Sequence, residues 1–328
     1  MSGVGRARTR CYRDGKLWRE GFPVGEVSDY LADEGTVVWF DLCTDDGDDL
    51  SLLQDELGLH DLAIADVVKQ GQRPKVERYP NHLFLVSHVL TTDADTGVLT
   101  AHEVGAFITA RALVTVHADH GFNLDELIAR WDETASLADS GVAFLLHGLV
   151  DYVVDTHLAA VEVLDDVIDG MEDVLFDESA NDIEIQRRLF EARKSLVAGR
   201  RLVLPMREVV NTLMRRDLGL TAGEIGPYFQ DVYDHVLRAE QRVDDLRDLV
   251  ANMLETRLSV RGNRLNQIMK KVTSWAAIIA VPTAITGFYG QNLPFPGFET
   301  TGGIITSSAI MVIAVAILYI TFKKKDWL

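Results

Sequence analysis

Basic residues and cysteines are both scarce in this 328-residue chain. It carries 32 lysines and arginines against 50 aspartates and glutamates, a formal net charge of −18. Proteins that bind nucleic acid present a basic surface, so this balance argues against nucleic acid as a partner. The two cysteines, Cys11 and Cys43, lie far apart and form no CxxC pair. We therefore expect reduced thiols, and neither a disulfide framework nor a structural zinc site.

Catalytic motifs are also missing from the sequence. It contains no P-loop, no HExxH, no GxSxG and no cysteine–histidine cluster with metal-ligand spacing. We therefore expect neither an enzyme nor an organic cofactor. The N-terminal segment MSGVGRARTR has arginines but no apolar stretch, so we expect no signal peptide.

Two uncharged apolar runs near the C-terminus, Val272–Asn292 and Gly303–Phe322, are the most informative stretches. Each is long enough to cross a hydrocarbon core of ~30 Å as a helix. Lysines stand before the first run and after the second, while the loop between them has no basic residue. Lysine and arginine residues beside membrane spans stay on the cytoplasmic side. We therefore expect the two helices to lie in the cytoplasmic membrane, with both termini in the cytoplasm.

The N-terminal part mixes strand and helix signals. Short β-rich runs at 36–41, 82–89, 102–108 and 112–117 alternate with helical patterns at 46–57 and 61–67, and a turn is predicted at Asp93–Gly97. After about residue 123 the pattern is helical, with long helices predicted over 141–176 and 183–213. The fold class is therefore α+β with a membrane part, the N-terminal domain being an α/β sheet domain with further helices.

A long helix should follow the glycine-rich break at 218–226. Its apolar residues recur at steps of four and three, which is the spacing of helices that pack on partner helices. They are Val232, Val236, Ala239, Val243, Leu246, Val250 and Met253. No strong breaker follows, so we expect this stalk helix to run on into the first span, a length on the order of 90 Å. The predicted divisions are 1–140, 141–226, 227–271, 272–289, 290–302, 303–322 and 323–328.

Two spans cannot enclose a water-filled path, so we expect a ring of more than two copies, with the first span lining it. Small or weakly polar residues recur on one face of that helix and of the turns before it: Asn266, Met269, Val272 or Thr273, Ala276, Ala280, Thr283 and Gly287. Neither span contains Asp, Glu or His. Because Mg²⁺ loses its water reluctantly, neutral oxygens that bind a hydrated ion suit this path.

Four features together resemble the CorA family of divalent-cation channels. They are the C-terminal helix pair with Tyr289-Gly290-Gln291-Asn292, the KKKDWL ending, the segment 72–77 and the segment 231–235. Most of that family has Gly-Met-Asn where this chain has Gly290-Gln291-Asn292. The change from Met to Gln could alter the mouth of the path or its ion preference.

The resemblance implies a funnel-shaped homopentamer with Gly290, Gln291 and Asn292 as selectivity filter and Thr283 lining the pore. It also implies an apolar constriction at Met269 and Val272. A regulatory Mg²⁺ would bind between subunits at Asp231, completed by an acidic residue such as Asp93 or Asp95. Lys323, Lys324 and Lys325 are either membrane anchors or a basic ring around the inner mouth.

Three functions remain open at this stage. The first is channel-type uptake of Mg²⁺, with Co²⁺ or Ni²⁺ as further ions, controlled by intracellular Mg²⁺. The second is a zinc transporter of the same superfamily, which could be coupled to protons. Gln291 keeps this function open, because the zinc branch also changes the middle residue of the filter. The third is a membrane-anchored cation sensor that conducts nothing.

Overall fold

The computed structural model describes residues 8–45, 50–172, 182–291, 297 and 300–328. The chain divides into two compact units, Met1–Met253 and Leu254–Leu328. The first holds a mixed sheet and most of the helices. The second holds the last part of a long helix and the final helix of the chain.

Seven strands form one sheet in the first unit, in the order β2-β1-β3-β7-β6-β5-β4. Only β3 and β7 pair in parallel among the described strands. The strands are β1 Thr9–Arg13, β2 Lys16–Glu20, β3 Thr36–Cys43, β4 Lys75–Arg78, β5 Leu83–Thr92, β6 Leu99–Ile108 and β7 Ala112–His117. All four predicted runs are strands, and β1, β2 and β4 were missed because charged residues interrupt their short apolar patterns.

The turn between β5 and β6 follows the prediction. Gly97 donates its backbone N–H to the carbonyl of Asp93 at 2.8 Å, and Asp93 donates to Val98 at 3.0 Å. Gly97 has a φ of +68°, a conformation in which glycine carries no Cβ penalty. The Asp-Ala-Asp-Thr-Gly sequence therefore closes this hairpin.

Alternate residues of each central strand face opposite layers, as expected for a sheet covered on both sides. Leu85 and Val89 of β5 join the core that faces the long helices, whereas Phe84 and Val86 join the core under the short helices. The short helices α1, α2 and α3 span Val27–Leu31, Ser51–Leu57 and Asp61–Val68, and α4 spans Leu124–Glu133.

Helix α5, Val142–Glu172, is long and apolar enough to cross a membrane by composition alone. It is nevertheless a core helix, since 72% of its most apolar window is buried inside the chain. Thr156 accepts a hydrogen bond from the backbone of Leu90, and Thr92 donates one to the carbonyl of Ala160. These bonds tie α5 to the β5 strand that it covers.

Two more long helices continue the first unit: α6, Asp182–Leu213, and α7, which begins at Gly226 after two 3-10 turns. All seven apolar residues of the predicted heptad pattern in α7 are buried. Arg200 and Asp244 form an ion pair at 2.7 Å between α6 and α7, and Arg242 pairs with Asp165 of α5. The periodicity thus correctly identified the packing face of α7.

The two predicted spans are both helical. Helix α7 ends at Tyr289, the predicted residue, and α8 runs from Thr301 to Lys324, slightly beyond its predicted bounds. Thr300 caps α8 by accepting the backbone N–H of Gly303 at 3.2 Å. The described chain has three helices that could cross a membrane by length and composition, and α5, α7 and α8 are those three.

Candidate functional site

The predicted lining residues occupy one side of α7. At 100° per residue, the set from Asn266 to Gly287 falls within an arc of about 120°. Every member is exposed in the single chain, including Met269 at 61% and Val272 at 59%. This side of α7 is therefore available to a partner or to a water-filled path.

The opposite side of the same helix is the one that the chain itself covers. Ser274 and Ile278 are the buried residues of the 272–289 span, and Ala277, Val281 and Ile285 beside them are half-buried. By the same helical geometry their arc is centred about 135° from the lining set. The fold of one chain thus uses one side of α7 and leaves the predicted lining side free.

Thr283 has a hydroxyl group whose proton is already committed. Its Oγ1 donates to the carbonyl of Ile279 at 2.9 Å, beside Pro282, a use of threonine typical of membrane helices. The lone pairs of that oxygen remain free to accept. Because the water around a cation points its hydrogens outward, an accepting oxygen is what a hydrated ion needs from a wall.

The predicted filter begins where α7 ends. Gly290 donates its backbone N–H to Thr286 at 2.8 Å, and Gln291 donates to Phe288 at 3.3 Å. A Cβ on Gly290 would lie 2.9 Å from the carbonyl oxygen of Thr286, so a side chain there would force a shift. Asn292, the predicted mouth residue, lies outside the described residues, and its role remains a prediction.

The C-terminal lysines lie at the end of α8. Lys323 approaches the ring of Tyr319 and Lys325 that of Trp327, each with 5.9 Å between the ammonium nitrogen and the ring centroid. The Trp327 ring stacks on Phe322 at 5.7 Å. The terminal segment thus folds back on α8. These contacts do not decide between a membrane anchor and a basic ring around the inner mouth.

A second group of candidate ligands lies in the first unit. Asp151 and Asp155 of α5 and His235 of α7 offer ligand atoms that lie within 4.8 Å of one another. The predicted regulatory residue Asp231 stands one turn before His235, with its carboxylate 3.7 Å from Nε2 of that histidine. Carboxylate and imidazole groups brought together in this way can hold a divalent cation.

Arg130 of α4 is the counter-charge of this group. Its guanidinium contacts Asp151 at 2.6 Å and Asp155 at 2.7 Å. Burial opposes the charge on Arg130, but the two carboxylates outweigh it and raise its pKa. A metal ion at these carboxylates would therefore have to compete with a fixed cation.

Asp93 and Asp95, the suggested partners of Asp231, lie in the β5–β6 turn. One carboxylate oxygen of Asp93 accepts hydrogen bonds from the hydroxyl and backbone N–H of Thr96, which lower its pKa, and from the N–H of Asp95. The group is thus engaged in closing its own turn. Whether Asp93 or Asp95 completes a site in a neighbouring chain stays a prediction.

The sequence reasoning missed Asp151, Asp155 and His235. The available signal was spacing: Asp151 and Asp155 are four residues apart on one predicted helix, as Asp231 and His235 are on another. Residues four apart share a helix face. Nothing in the sequence alone indicated that the two pairs would meet across α5 and α7.

Comparisons with known proteins agree on one family. The family model described as CorA-like Mg²⁺ transporter protein matches residues 34–324. The cobalt/magnesium transport protein CorA of Thermotoga maritima is 32% identical over 83% of this chain and 77% of that protein. The zinc transport protein ZntB of Pectobacterium carotovorum is 24% identical over 78% of this chain and 77% of that protein.

A solved structure has the same fold. The complete structure of the CorA magnesium transporter from Methanocaldococcus jannaschii superposes with a TM-score of 0.78 at 23% identity, covering 98% of each chain. The sheet domain, the long helix and the apolar C-terminal helix all have counterparts there. With the family match over most of its length, this chain belongs to the CorA-like Mg²⁺ transporter family, whose members are divalent-cation transporters of membranes and not enzymes.

Proposed function

We propose that this protein is a homopentameric channel in the cytoplasmic membrane that admits hydrated Mg²⁺, with both termini in the cytoplasm. Co²⁺ and Ni²⁺ are further candidate ions. The observation that carries the proposal is the free side of α7, which has no ionised group from Val272 to Gly287 and presents the accepting oxygen of Thr283. Such a wall can bind the water of an ion without replacing it.

The filter would be Gly290, Gln291 and Asn292. A ring of Asn292 amides, one from each chain, would accept hydrogen bonds from the ion's water, and the small Gly290 lets the backbone turn beneath them. Met269 and Val272 would form an apolar constriction nearer the cytoplasm, which can close by losing water. Lys323, Lys324 and Lys325 would surround the inner mouth or anchor it in the headgroups.

Control by intracellular Mg²⁺ would act through Asp231. Its position beside His235, Asp151 and Asp155 supports a cation site on this side of α7, and the excess of carboxylates supplies the repulsion that an ion would relieve. Oxygen ligands suit Mg²⁺, whereas the imidazole of His235 suits transition metals. Bound ion would hold neighbouring chains together and the channel shut, and its loss would let the stalks separate.

The test is Mg²⁺ uptake into vesicles that contain the purified protein. Asn292→Ala should abolish uptake, whereas Asn263→Ala on the α7 helix before the span should leave it intact. Unchanged uptake in Asn292→Ala would refute the filter. In a separate assay Asp231→Ala should weaken inhibition by Mg²⁺ on the cytoplasmic side.

Zinc transport is the second candidate function, favoured by Gln291 and by the similarity to ZntB. Zn²⁺ flux that needs a pH gradient, without Mg²⁺ flux, would establish it instead. A protein that passes no ion under any gradient would be a sensor. A competition assay with Mg²⁺, Co²⁺ and Zn²⁺ separates the three.

A further inference from the structure

Charge is distributed unevenly between the two units. Leu254–Leu328 carries eight lysines and arginines against three acidic residues, a net charge of +5, which leaves −23 on the rest of the chain. All eight basic residues lie in two short stretches, 257–271 and 323–325. The first stretch directly precedes the first apolar run, and the second directly follows the second run. The positive charge of this unit is therefore concentrated next to the two predicted spans.

Three of these residues form a stripe along α7. Arg257, Arg264 and Lys271 recur every seven residues, so they share one helix face. Helical geometry puts this face about 135° from the predicted lining side. The stripe is therefore separate from the proposed ion path, where a row of cations would oppose the passage of Mg²⁺.

Six of the eight basic residues have no counter-charge within the described part of the chain. Among the residues that the structure describes, Arg264, Lys270, Lys271 and Lys323–Lys325 form no ion pair. In the first unit, by contrast, arginines such as Arg10 and Arg130 are paired with carboxylates at 2.7 Å or less. These exposed cations beside an apolar helix are therefore available to an anionic partner from outside the chain.

The stripe is within reach of a bilayer surface. Arg264 lies eight residues before Val272, about 12 Å along the helix, and Lys271 is adjacent to the apolar run. The headgroup layer extends roughly 5–8 Å beyond the hydrocarbon on each side. Long basic side chains extend toward this layer while their stems follow apolar surface, and basic groups beside a transmembrane helix attract anionic lipid.

We propose that Arg264 and Lys271, together with the lysines that end α8, bind the phosphate groups of anionic phospholipids such as phosphatidylglycerol. The proposal requires the two membrane spans but is independent of which ion the protein carries. An acidic segment of another copy is the competing partner. Lipid is favoured because the stripe ends at Lys271, directly before the first apolar residue of the span. A helix that enters a bilayer at this point crosses the headgroup layer there.

The experiment uses the full-length protein in nanodiscs of phosphatidylcholine, with or without phosphatidylglycerol. The thermal midpoint of unfolding and the phosphatidylglycerol retained after detergent extraction are measured for the wild type and for Arg264→Gln/Lys271→Gln. The matched control is Arg193→Gln/Lys194→Gln, which changes two exposed basic residues of α6 in the first unit that form no ion pair with another described residue.

Phosphatidylglycerol should raise the midpoint of the wild type and of the control. The double variant should lose at least half of that rise and of the retained lipid, and Arg264→Lys should keep both. High salt should weaken the effect. An equal rise in the double variant, or no rise in the wild type, would overturn the proposal. A loss of stability that is equal in both lipid mixtures would assign the stripe to a protein partner instead.

Discussion

The two units of this chain differ in the exposure of their apolar side chains. In the first unit Trp39, Phe107 and Trp131 are fully buried, and both faces of the sheet are covered by the chain's own helices. In the second unit Ile279, Phe288 and Ile304 are each at least 60% exposed. The first unit completes its own core, whereas the second leaves its apolar side chains exposed to a bilayer and, in the assembly that we propose, to further copies.

The comparison is tested most strongly by removing one phenylalanine from each unit. Phe107→Ala should destabilise the first unit by about 3–5 kcal/mol, the usual cost of emptying a buried aromatic site. Phe288→Ala should leave the unfolding of that unit unchanged and act on assembly in the membrane. Denaturant unfolding followed by near-UV circular dichroism measures both, and equal losses would contradict the contrast.

Acid should weaken the first unit through His157. This histidine is fully enclosed between α5 and the sheet, and its Nε2 lies 2.8 Å from the carbonyl oxygen of His88. Burial lowers its pKa to about 4. Folding therefore favours the neutral ring. Its contribution to the free energy of unfolding is fully present above the unfolded pKa of ~6.5 and is lost as pH falls toward 4, a loss on the order of 3 kcal/mol.

The measurement is the thermal midpoint as a function of pH between 7 and 4, a range that runs from above the unfolded pKa down to the folded pKa of about 4. His157→Gln should flatten the acid slope. His60→Asn, at the exposed histidine whose Nδ1 accepts the backbone N–H of Leu62 at the start of α3, should keep it. An unchanged slope in His157→Gln would show that other groups cause the acid loss.

A smaller effect is expected at alkaline pH from His117. Both ring nitrogens face acceptors, Nε2 the carboxylate of Asp41 at 3.0 Å and Nδ1 the carbonyl of Asp119 at 2.6 Å. Burial opposes the charge, but the bond to Asp41 outweighs it and raises the pKa of His117. The charged ring therefore stabilises the fold fully below the unfolded pKa of ~6.5. This stabilisation is lost as pH rises through the raised pKa of the folded state.

Urea unfolding of His117→Gln at pH 6, below the ordinary histidine pKa of ~6.5, and at pH 9, well above it, checks this prediction. The stability difference from the wild type should shrink at the higher pH. A difference that grows with pH would mean that the ring is neutral in the folded protein.

The smallest expected effect is at the β5–β6 turn. Gly97→Ala places a Cβ at a φ of +68° and 3.1 Å from Val167. The strain should cost about 1 kcal/mol, and urea unfolding should show it without any change in the second unit. A neutral substitution would mean that the turn relaxes freely.

Periodicity predicted the long helices and four of the seven strands, because the buried faces of α7 and of the central strands repeat over many residues. The edge and neighbouring strands β1, β2 and β4 escaped because Arg10, Arg13 and Lys16 interrupt runs of only four or five residues. The α5–α7 group around His235 escaped for another reason. Its members are about 80 residues apart in the chain, and only tertiary packing brings them together.

The lining side of α7 is the central claim, and one measurement tests it directly. Cysteine is introduced at Ala280 on the lining side or at Ile278 on the covered side, in a chain whose own Cys11 and Cys43 are buried. A water-soluble, membrane-impermeant thiol reagent is then applied during Mg²⁺ uptake into vesicles. The account predicts that the reagent blocks uptake in Ala280→Cys and leaves Ile278→Cys unaffected. Block in Ile278→Cys with none in Ala280→Cys would contradict it.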